Sequence, residues 1–128
     1  AKVGGKVIGV DSDQSPIIDG GYGEGMTVTS AMKGLYPTTY DTLTDVIVNG
    51  NWSNYAGKIT TLGLVSDEPT ENYVQLPMDT TQWSDSFTQD DYKALVAAMR
   101  AGDITVSNDT TAMPATTNVN VSDLGNLK

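Results

Sequence analysis

A short apolar segment near the start of the chain, followed at once by two acids, constrains the fold most. Residues 6–10 read KVIGV, an uninterrupted and largely β-branched run, and the polar letters DSDQSP follow it. An apolar run of this length without alternation is typical of a strand that is buried on both faces of a parallel sheet. We therefore predict an α/β protein in which the first strand ends beside Asp11.

The rest of the chain alternates between strand-like and helix-like segments. Strands separated by helical stretches favour a three-layer α/β sheet with right-handed crossovers. The segment 107–128 is rich in Thr and Asn with little periodicity, which predicts an extended tail that wraps the surface or is partly disordered. The pattern predicts a glycine-rich loop over 19–25, a strand over 26–33, a helix over 36–49, strands over 58–65, 73–77 and 103–106, and a helix over 87–101.

The helix over 36–49 is predicted from its pattern and its ends. Pro37 suits the first turn, where a missing N–H costs nothing, and Gly50 suits a left-handed cap just past the end. The intrinsic helix propensity is poor, because Thr and β-branched residues fill the window. One apolar stripe at helical spacing supports the helix: Tyr36, Tyr40, Leu43 and Ile47.

The helix over 87–101 has stronger local signals. Thr88 is the expected N-cap, Asp91 completes a capping box, and Phe87 is placed to pack against Tyr92 as a hydrophobic staple. Gly102 is expected to stop the helix. The predicted buried stripe consists of Tyr92, Leu95, Val96 and Met99.

Charge and residue usage exclude several classes of function. Seven basic against sixteen acidic residues give a net charge of −9, which argues against binding nucleic acid or anionic lipid, since both need a basic surface. The chain has no Cys and no His, so thiolate nucleophiles, disulfides and the commonest zinc ligands and general bases are missing. We expect no cofactor, no metal and no enzymatic activity. Neither an apolar run of membrane-spanning length nor a signal peptide is evident.

Two acids and one lysine are the candidate site residues. Asp11 and Asp13 follow the first strand, and the carboxyl edge of an open α/β sheet is where ligands bind. Residues two apart on an extended segment point the same way, although Asp11 alternatively only turns the chain and Asp13 only caps the next element. Lys33 ends the second strand, and it is either a solvated cation or a donor aimed into the same crevice as Asp11.

Three other chemistries are tested by spacing. A calcium loop of the EF-hand type counted from Asp11 would place Pro16 and Tyr22 where a Gly and an acid are required. The glycine-rich loop lacks the Lys of a phosphate-binding loop. An alternative remains: a Mg²⁺-dependent aspartate phosphotransferase or phosphatase with Asp11 as nucleophile, Lys33 as its lysine and Asp90–Asp91 as its second acid pair. Acids at the latter position also fit the first turn of a helix.

The aromatic residues carry no specific signal. Packing in the core or on the surface is the default for each, and the sequence does not indicate which of them stacks on a flat ligand. They include Tyr36, Tyr40, Trp52, Tyr55, Tyr73, Trp83, Phe87 and Tyr92.

Taken in order, five motifs resemble the C-terminal part of the basic membrane protein family. That family comprises substrate-binding lipoproteins of ABC importers for purine nucleosides, built on the type I periplasmic-binding-protein fold. The resemblance extends over residues 1–106 and does not include the tail 107–128. The motifs are VIGVDSDQ, VTSAMK, YDTLTDVIVNG, ITTLGL and MRAGDITV.

The resemblance implies a fold, a site and partners. The fold would be the C-terminal portion of a two-lobed protein, with 34–57 packing against the N-terminal lobe. The ligand, a nucleoside or a related sugar-containing molecule, would lie in the cleft between the lobes and contact Asp11 and Lys33 without catalysis. The full-length parent would be a membrane-anchored lipoprotein, extracellular or periplasmic, that serves an ABC permease. The chain would then associate with the remainder of the same protein or with a swapped dimer partner.

Overall fold

The structure is a computed structural model that describes residues 3–113, 115–118, 120–122 and 125. The described part is a small mixed α/β domain with three strands and three α-helices. The elements are β1 (Val7–Asp11), α1 (Ser15–Tyr22), β2 (Thr27–Lys33), α2 (Leu35–Leu43), β3 (Val74–Gln75) and α3 (Gln89–Ala101), with a π-helical turn at Thr44–Val48 and 3₁₀ turns at Trp52–Asn54 and Pro69–Glu71.

The three strands form one mixed sheet in the order β1–β2–β3. β1 and β2 are parallel, with Asp11 opposite Met32. β3 pairs with the end of β2 in the antiparallel sense, with Val74 opposite Lys33. The strands predicted over 6–10 and 26–33 are therefore confirmed, and the segment 73–77 supplies a short strand. The predicted burial of the first strand on both faces was wrong, because β1 lies at the edge of the described sheet and its Ile8 and Val10 side chains are exposed. The coarse α/β prediction agrees with this arrangement, which has parallel strands joined through a helix.

The prediction of a loop over 19–25 was wrong for its first four residues, which belong to α1. Pro16 lies in the first turn of α1, where its missing N–H leaves no bond unmade. The Asp13 carboxylate accepts hydrogen bonds from the Ser15 N–H and hydroxyl, which fixes the start of the helix. Gly23, with φ +132°, ends it. Two glycines inside the helix concealed it from a propensity argument.

The strand predicted over 58–65 is absent from the described structure, where this segment is irregular. Its last amides donate to a side chain instead of to a neighbouring strand. The Val65 N–H and the Ser66 N–H both donate to Asn72 Oδ1, at 2.6 and 2.9 Å. One backbone hydrogen bond, from the Tyr73 N–H to the Gly63 carbonyl at 3.2 Å, joins the segment to the residue before β3, and no strand develops there.

The strand predicted over 103–106 was also wrong. The N–H groups of Asp103 and Ile104 donate to the Ala98 carbonyl, and these bonds satisfy the last turn of α3. Gly102 has φ +85°, so it is the predicted left-handed cap, and the cap continues into the residues that were assigned to a strand. The described residues of the predicted tail 107–128 are exposed and contain no helix or strand, and its other residues lie outside the described part.

α3 confirms its predicted ends. The Thr88 hydroxyl accepts the Asp91 N–H, and the Asp91 carboxylate accepts the Thr88 N–H, which is the complete capping box. Trp83 packs against the rings of both Phe87 and Tyr92, at centroid distances of 6.2 and 5.6 Å. Tyr92 and Val96 are the buried hydrophobic residues of the described chain. The core is therefore small and lies under α3.

α2 occupies the start of the segment predicted as a helix, and the π-helical turn continues it to Val48. Gly50 has φ +70°, as expected just past the end. The predicted stripe is not buried: every one of its side chains is at least half exposed, and α2 buries no residue. The apolar spacing is present, but the described chain places no element over it.

Candidate functional site

The structure brings Asp11 and Lys33 together at one edge of the sheet. The two strands are parallel, so their carboxyl ends meet, and Asp11 lies opposite the residue that precedes Lys33. Lys33 Nζ and Asp11 Oδ1 are 2.7 Å apart. Both side chains remain more than half exposed, so the pair is solvated and stabilises the fold little. An ion pair in this position is open to exchange its contacts with a ligand.

The backbone at Asp11 is strained. Asp11 has φ +74°, and it is the described non-glycine residue with positive φ. The Ser12 N–H donates to the Val10 carbonyl at 3.0 Å across it, which is the hydrogen bond of a three-residue γ-turn. The form of this turn with positive φ is rare and strained, and such strain is concentrated at ligand and catalytic sites.

Buried polar contacts hold the loop after β1 against β2. Ser30, on β2, is fully buried, and its Oγ accepts the Gln14 N–H at 3.1 Å. The Gln14 side chain in turn accepts the Val10 N–H at 3.2 Å. A Cβ on Gly9 would lie 2.5 Å from Ser30 Oγ, so a glycine is required for this close approach. Gln14 and Ser30 therefore position the turn that carries Asp11.

Asp13 is engaged within the protein. Its carboxylate accepts hydrogen bonds from the Ser15 N–H, the Ser15 hydroxyl and the Thr80 hydroxyl, the last at 2.8 Å. Burial raises the pKa of Asp13, but these hydrogen bonds outweigh it and leave the pKa below its ordinary value. The Asp13 carboxylate thus links the start of α1 to Thr80 in a distant loop, in agreement with the expected capping role.

The segment before β3 is organised around Asn72, whose side chain is completely buried. Its amide donates to the carbonyls of Ser66 and Glu68 and its oxygen accepts two backbone N–H groups, so all of its hydrogen-bonding groups are used. The Gly34 N–H donates to the Tyr73 carbonyl at 2.8 Å. A Cβ on Gly34 would lie 2.1 Å from the Asn72 carbonyl oxygen. This contact fixes the chain directly after Lys33.

A depression of about 300 Å³ opens in front of the ion pair. This volume is at the lower end of the range for small-molecule sites. Carboxylates and one ammonium lie beside apolar and aromatic surface in its wall. The residues that define it include Asp11, Lys33, Leu35, Tyr36, Thr70 and Gln75.

The acids required by the phosphotransferase alternative serve other purposes. The Asp91 carboxylate is held by the Thr88 N–H and hydroxyl, and both bonds lower its pKa. Asp90 lies in the same first turn of α3. In the part of the chain that the structure describes, no cluster of three potential metal ligands is found.

Among the described residues, no helix is long and apolar enough to cross a membrane.

Sequence reasoning missed the residues that support the site. Ser30 and Gln14 lie within the motifs that carried the resemblance, so the spacing of those motifs was a usable signal. Thr80 contacts Asp13 across 67 positions, and Asn72 stands in a segment that reads as an ordinary polar loop. Neither position has a local signal.

Comparison with known proteins does not identify a family or a fold. No family model matches the chain, no curated protein matches it, and no solved structure matches it.

Proposed function

We propose that this chain is the C-terminal part of a solute-binding protein of the type I periplasmic fold, similar to the basic membrane protein family. It binds a purine-type nucleoside or a related sugar-containing molecule and catalyses no reaction. The observation that carries the proposal is the solvent-open pair of Asp11 and Lys33 at the carboxyl ends of two parallel strands. The strained turn at Asp11 supports it, because a side chain used only for solubility needs no such backbone.

The chemistry of the pair suits a neutral ligand that carries hydroxyl groups. A carboxylate accepts two hydroxyl hydrogens from a vicinal diol, and charge-assisted hydrogen bonds are the stronger kind. The ammonium of Lys33 donates to hydroxyl or ring acceptors and offsets the carboxylate charge when the ligand displaces water. In such a site, the 2.7 Å ion pair would loosen as each partner turns to the ligand.

The exposed apolar side chains support the proposal that a second lobe covers part of this chain. Exposed apolar side chains occur on β1, on α2 and on the π-helical turn that follows α2, among them Ile8, Val10, Leu35, Tyr36 and Ile47. A second lobe, from the remainder of the same protein or from a swapped partner, would cover 34–57 and close the site by a hinge motion.

The wider setting follows from the same resemblance. The parent protein would be anchored by lipid on the outer face of a membrane, and it would deliver its solute to the permease of an ABC importer.

The proposal is tested by titrating the isotopically labelled chain with adenosine, guanosine, inosine and ribose and following its amide NMR signals. We expect shifts at the amides of 11–13 and 33–35. The affinity is expected to be weak, with Kd on the order of 1 mM, because the second lobe contributes no contacts. Asp11→Asn and Lys33→Met are each expected to weaken binding by about 10- to 100-fold.

Two matched variants control for charge alone. Asp85→Asn and Lys58→Met remove the same charges from exposed positions outside the depression, and we expect both to bind as the original chain does. Amide spectra recorded without ligand would verify that all four variants fold. The proposal fails if no ligand shifts the amides beside Asp11 and Lys33 up to ~10 mM. It also fails if the site variants bind as well as the controls.

A further inference from the structure

One stretch of the chain has the composition of a strand but pairs with no strand. Residues 59–64 read ITTLGL, which is rich in β-branched and apolar side chains. Within the described part of the chain, none of the backbone N–H groups of residues 59–64 donates a hydrogen bond, and of their carbonyls only that of Gly63 accepts one. The segment 59–64 is therefore a row of available backbone donors and acceptors.

The same segment is open to solvent and is not protected against pairing. The Ile59 side chain is completely exposed, and that of Leu62 is 40% exposed. A row of unpaired backbone groups is a template for another strand, and folded proteins usually block such an edge with a charge or a proline. Neither a charge nor a proline stands between Ile59 and Ser66.

The free edge of β1 does not offer the same opportunity. The Val10 N–H donates to Gln14 Oε1, and the Val10 carbonyl accepts the Ser12 N–H. These local bonds occupy the backbone groups that a further strand would need beside the end of β1. The segment 59–64 therefore offers a longer run of free backbone groups than β1 does.

The hydrogen bond at Gly63 decides which edge of the segment is available. In an extended chain the N–H and C=O of one residue point to the same edge, and successive residues alternate between the two edges. The Gly63 carbonyl accepts the Tyr73 N–H, so the edge that carries Gly63 faces the residue before β3. The opposite edge carries the groups of Thr60, Leu62 and Leu64, and it is left for a partner.

The charges at the two ends of the segment favour a second copy of this chain as that partner. Lys58 precedes the segment, and Glu68, which forms no ion pair within the described part of the chain, lies beyond its end. Antiparallel pairing of two copies brings each Lys58 towards the acidic end of the other segment, and the uncharged residues between them meet. The net charge of −9 acts against association, but salt at physiological strength screens charges more than about 8 Å apart.

We propose that residues 59–64 of two copies pair as antiparallel strands across a two-fold axis at Leu62. In this register Ile59 of one copy lies opposite Val65 of the other, and the Val65 side chain is itself 47% exposed. Cross-strand pairs of β-branched side chains stabilise sheets, and a two-fold axis uses the same surface on both copies. This inference goes beyond the proposed function and needs no ligand.

Sedimentation velocity of the full 128-residue chain measures the association. A contact between two short strands is small, so we expect a weak dimer, with Kd on the order of 100 µM. Thr60→Pro removes an N–H from the pairing edge and should abolish the dimer up to about 1 mM. Thr61→Pro is the matched control, since its N–H lies on the other edge, and it should associate as the original chain does. Amide spectra at low concentration verify that both variants fold.

Disulfide trapping tests the register. The chain contains no Cys, so a single introduced Cys forms a disulfide only with a second copy. In Leu62→Cys the two thiols face each other at the axis, where Cα atoms about 5.5 Å apart permit the bond. In Ile59→Cys the side chain is more exposed, but it lies roughly 20 Å from its counterpart. We expect Ile59→Cys to crosslink about 10-fold more slowly or less.

The proposal is overturned if the chain stays monomeric up to about 1 mM. It is also overturned if Thr60→Pro leaves the dimer unchanged, as expected for association through the exposed side chains of α2, or if both proline variants lose it equally. Equal crosslinking of Leu62→Cys and Ile59→Cys would contradict the register and the two-fold axis. Each of these results leaves the proposed function as it stands, because none of the measurements uses a ligand.

Discussion

The two longer helices of this protein, α2 and α3, carry similar apolar spacing but have different surroundings. α3 begins with a complete capping box, ends with a left-handed glycine and buries Tyr92 and Val96. α2 begins at a glycine with no side-chain cap and buries no residue. A short helix of poor propensity is marginal in water without tertiary packing. This contrast shows that apolar side chains at helical spacing do not by themselves bury a helix face.

The largest expected contrast comes from removing one tyrosine from each helix. Tyr92→Ala should lower the free energy of unfolding by about 3 kcal/mol, because a buried aromatic leaves a cavity and its hydroxyl no longer accepts the Leu76 N–H. Tyr40→Ala should change the free energy of unfolding by less than about 0.5 kcal/mol, as for other exposed side chains. Urea unfolding followed by circular dichroism measures both. Equal losses would mean that α2 is packed after all.

A second test concerns the close backbone contact between Gly34 and Asn72 at the start of α2. Gly34→Ala forces a Cβ into the space of the Asn72 carbonyl, and overpacking of this kind costs about 1–3 kcal/mol. Gly63→Ala is the matched control, since its added Cβ would meet nothing within 4 Å. The midpoint of urea unfolding should fall for the first variant only. A similar midpoint for both would show that the approach of Gly34 to Asn72 is not required.

The smallest expected effect is the pH dependence of the α3 cap. Hydrogen bonds from the Thr88 N–H and hydroxyl hold the pKa of Asp91 below its ordinary 3.8. The folded pKa is therefore lower than the unfolded one, so the stabilisation is present above the unfolded pKa and is lost as pH falls through the folded pKa. Thermal melts from about pH 6 down to pH values below about 4 should show a steeper loss for the original chain than for Asp91→Asn. α2 has no acid in its first turn and so contributes no equivalent dependence.

The elements with complete local signals were predictable from the sequence. The N-cap, capping box and terminal glycine of α3 all lie within or beside the helix that they define. The positions of β1 and β2, whose pairing brings Asp11 to Lys33, were also predictable. The burial of β1 on both faces was not, because its apolar run does not show that the strand lies at a sheet edge. The ligand role of those two residues stays a prediction, as do the family and the second lobe.

The elements that were missed depend on contacts between distant positions. Residues 58–65 have the composition of a strand, but the Val65 N–H at the end of the segment donates to the side chain of Asn72, and no local pattern indicates that partner. α1 was concealed by its own glycines and is fixed by Asp13, which also depends on Thr80. Burial was misjudged on α2 for a related reason, since spacing defines an apolar face but does not supply the element that covers it.

The left-handed backbone of Asp11 has a consequence for how this position would change under selection. Glycine adopts that conformation freely, so Asp11→Gly would relax the γ-turn while removing the carboxylate that faces Lys33. Backbone strain alone thus favours glycine at this position, whereas the proposed solute site requires the carboxylate.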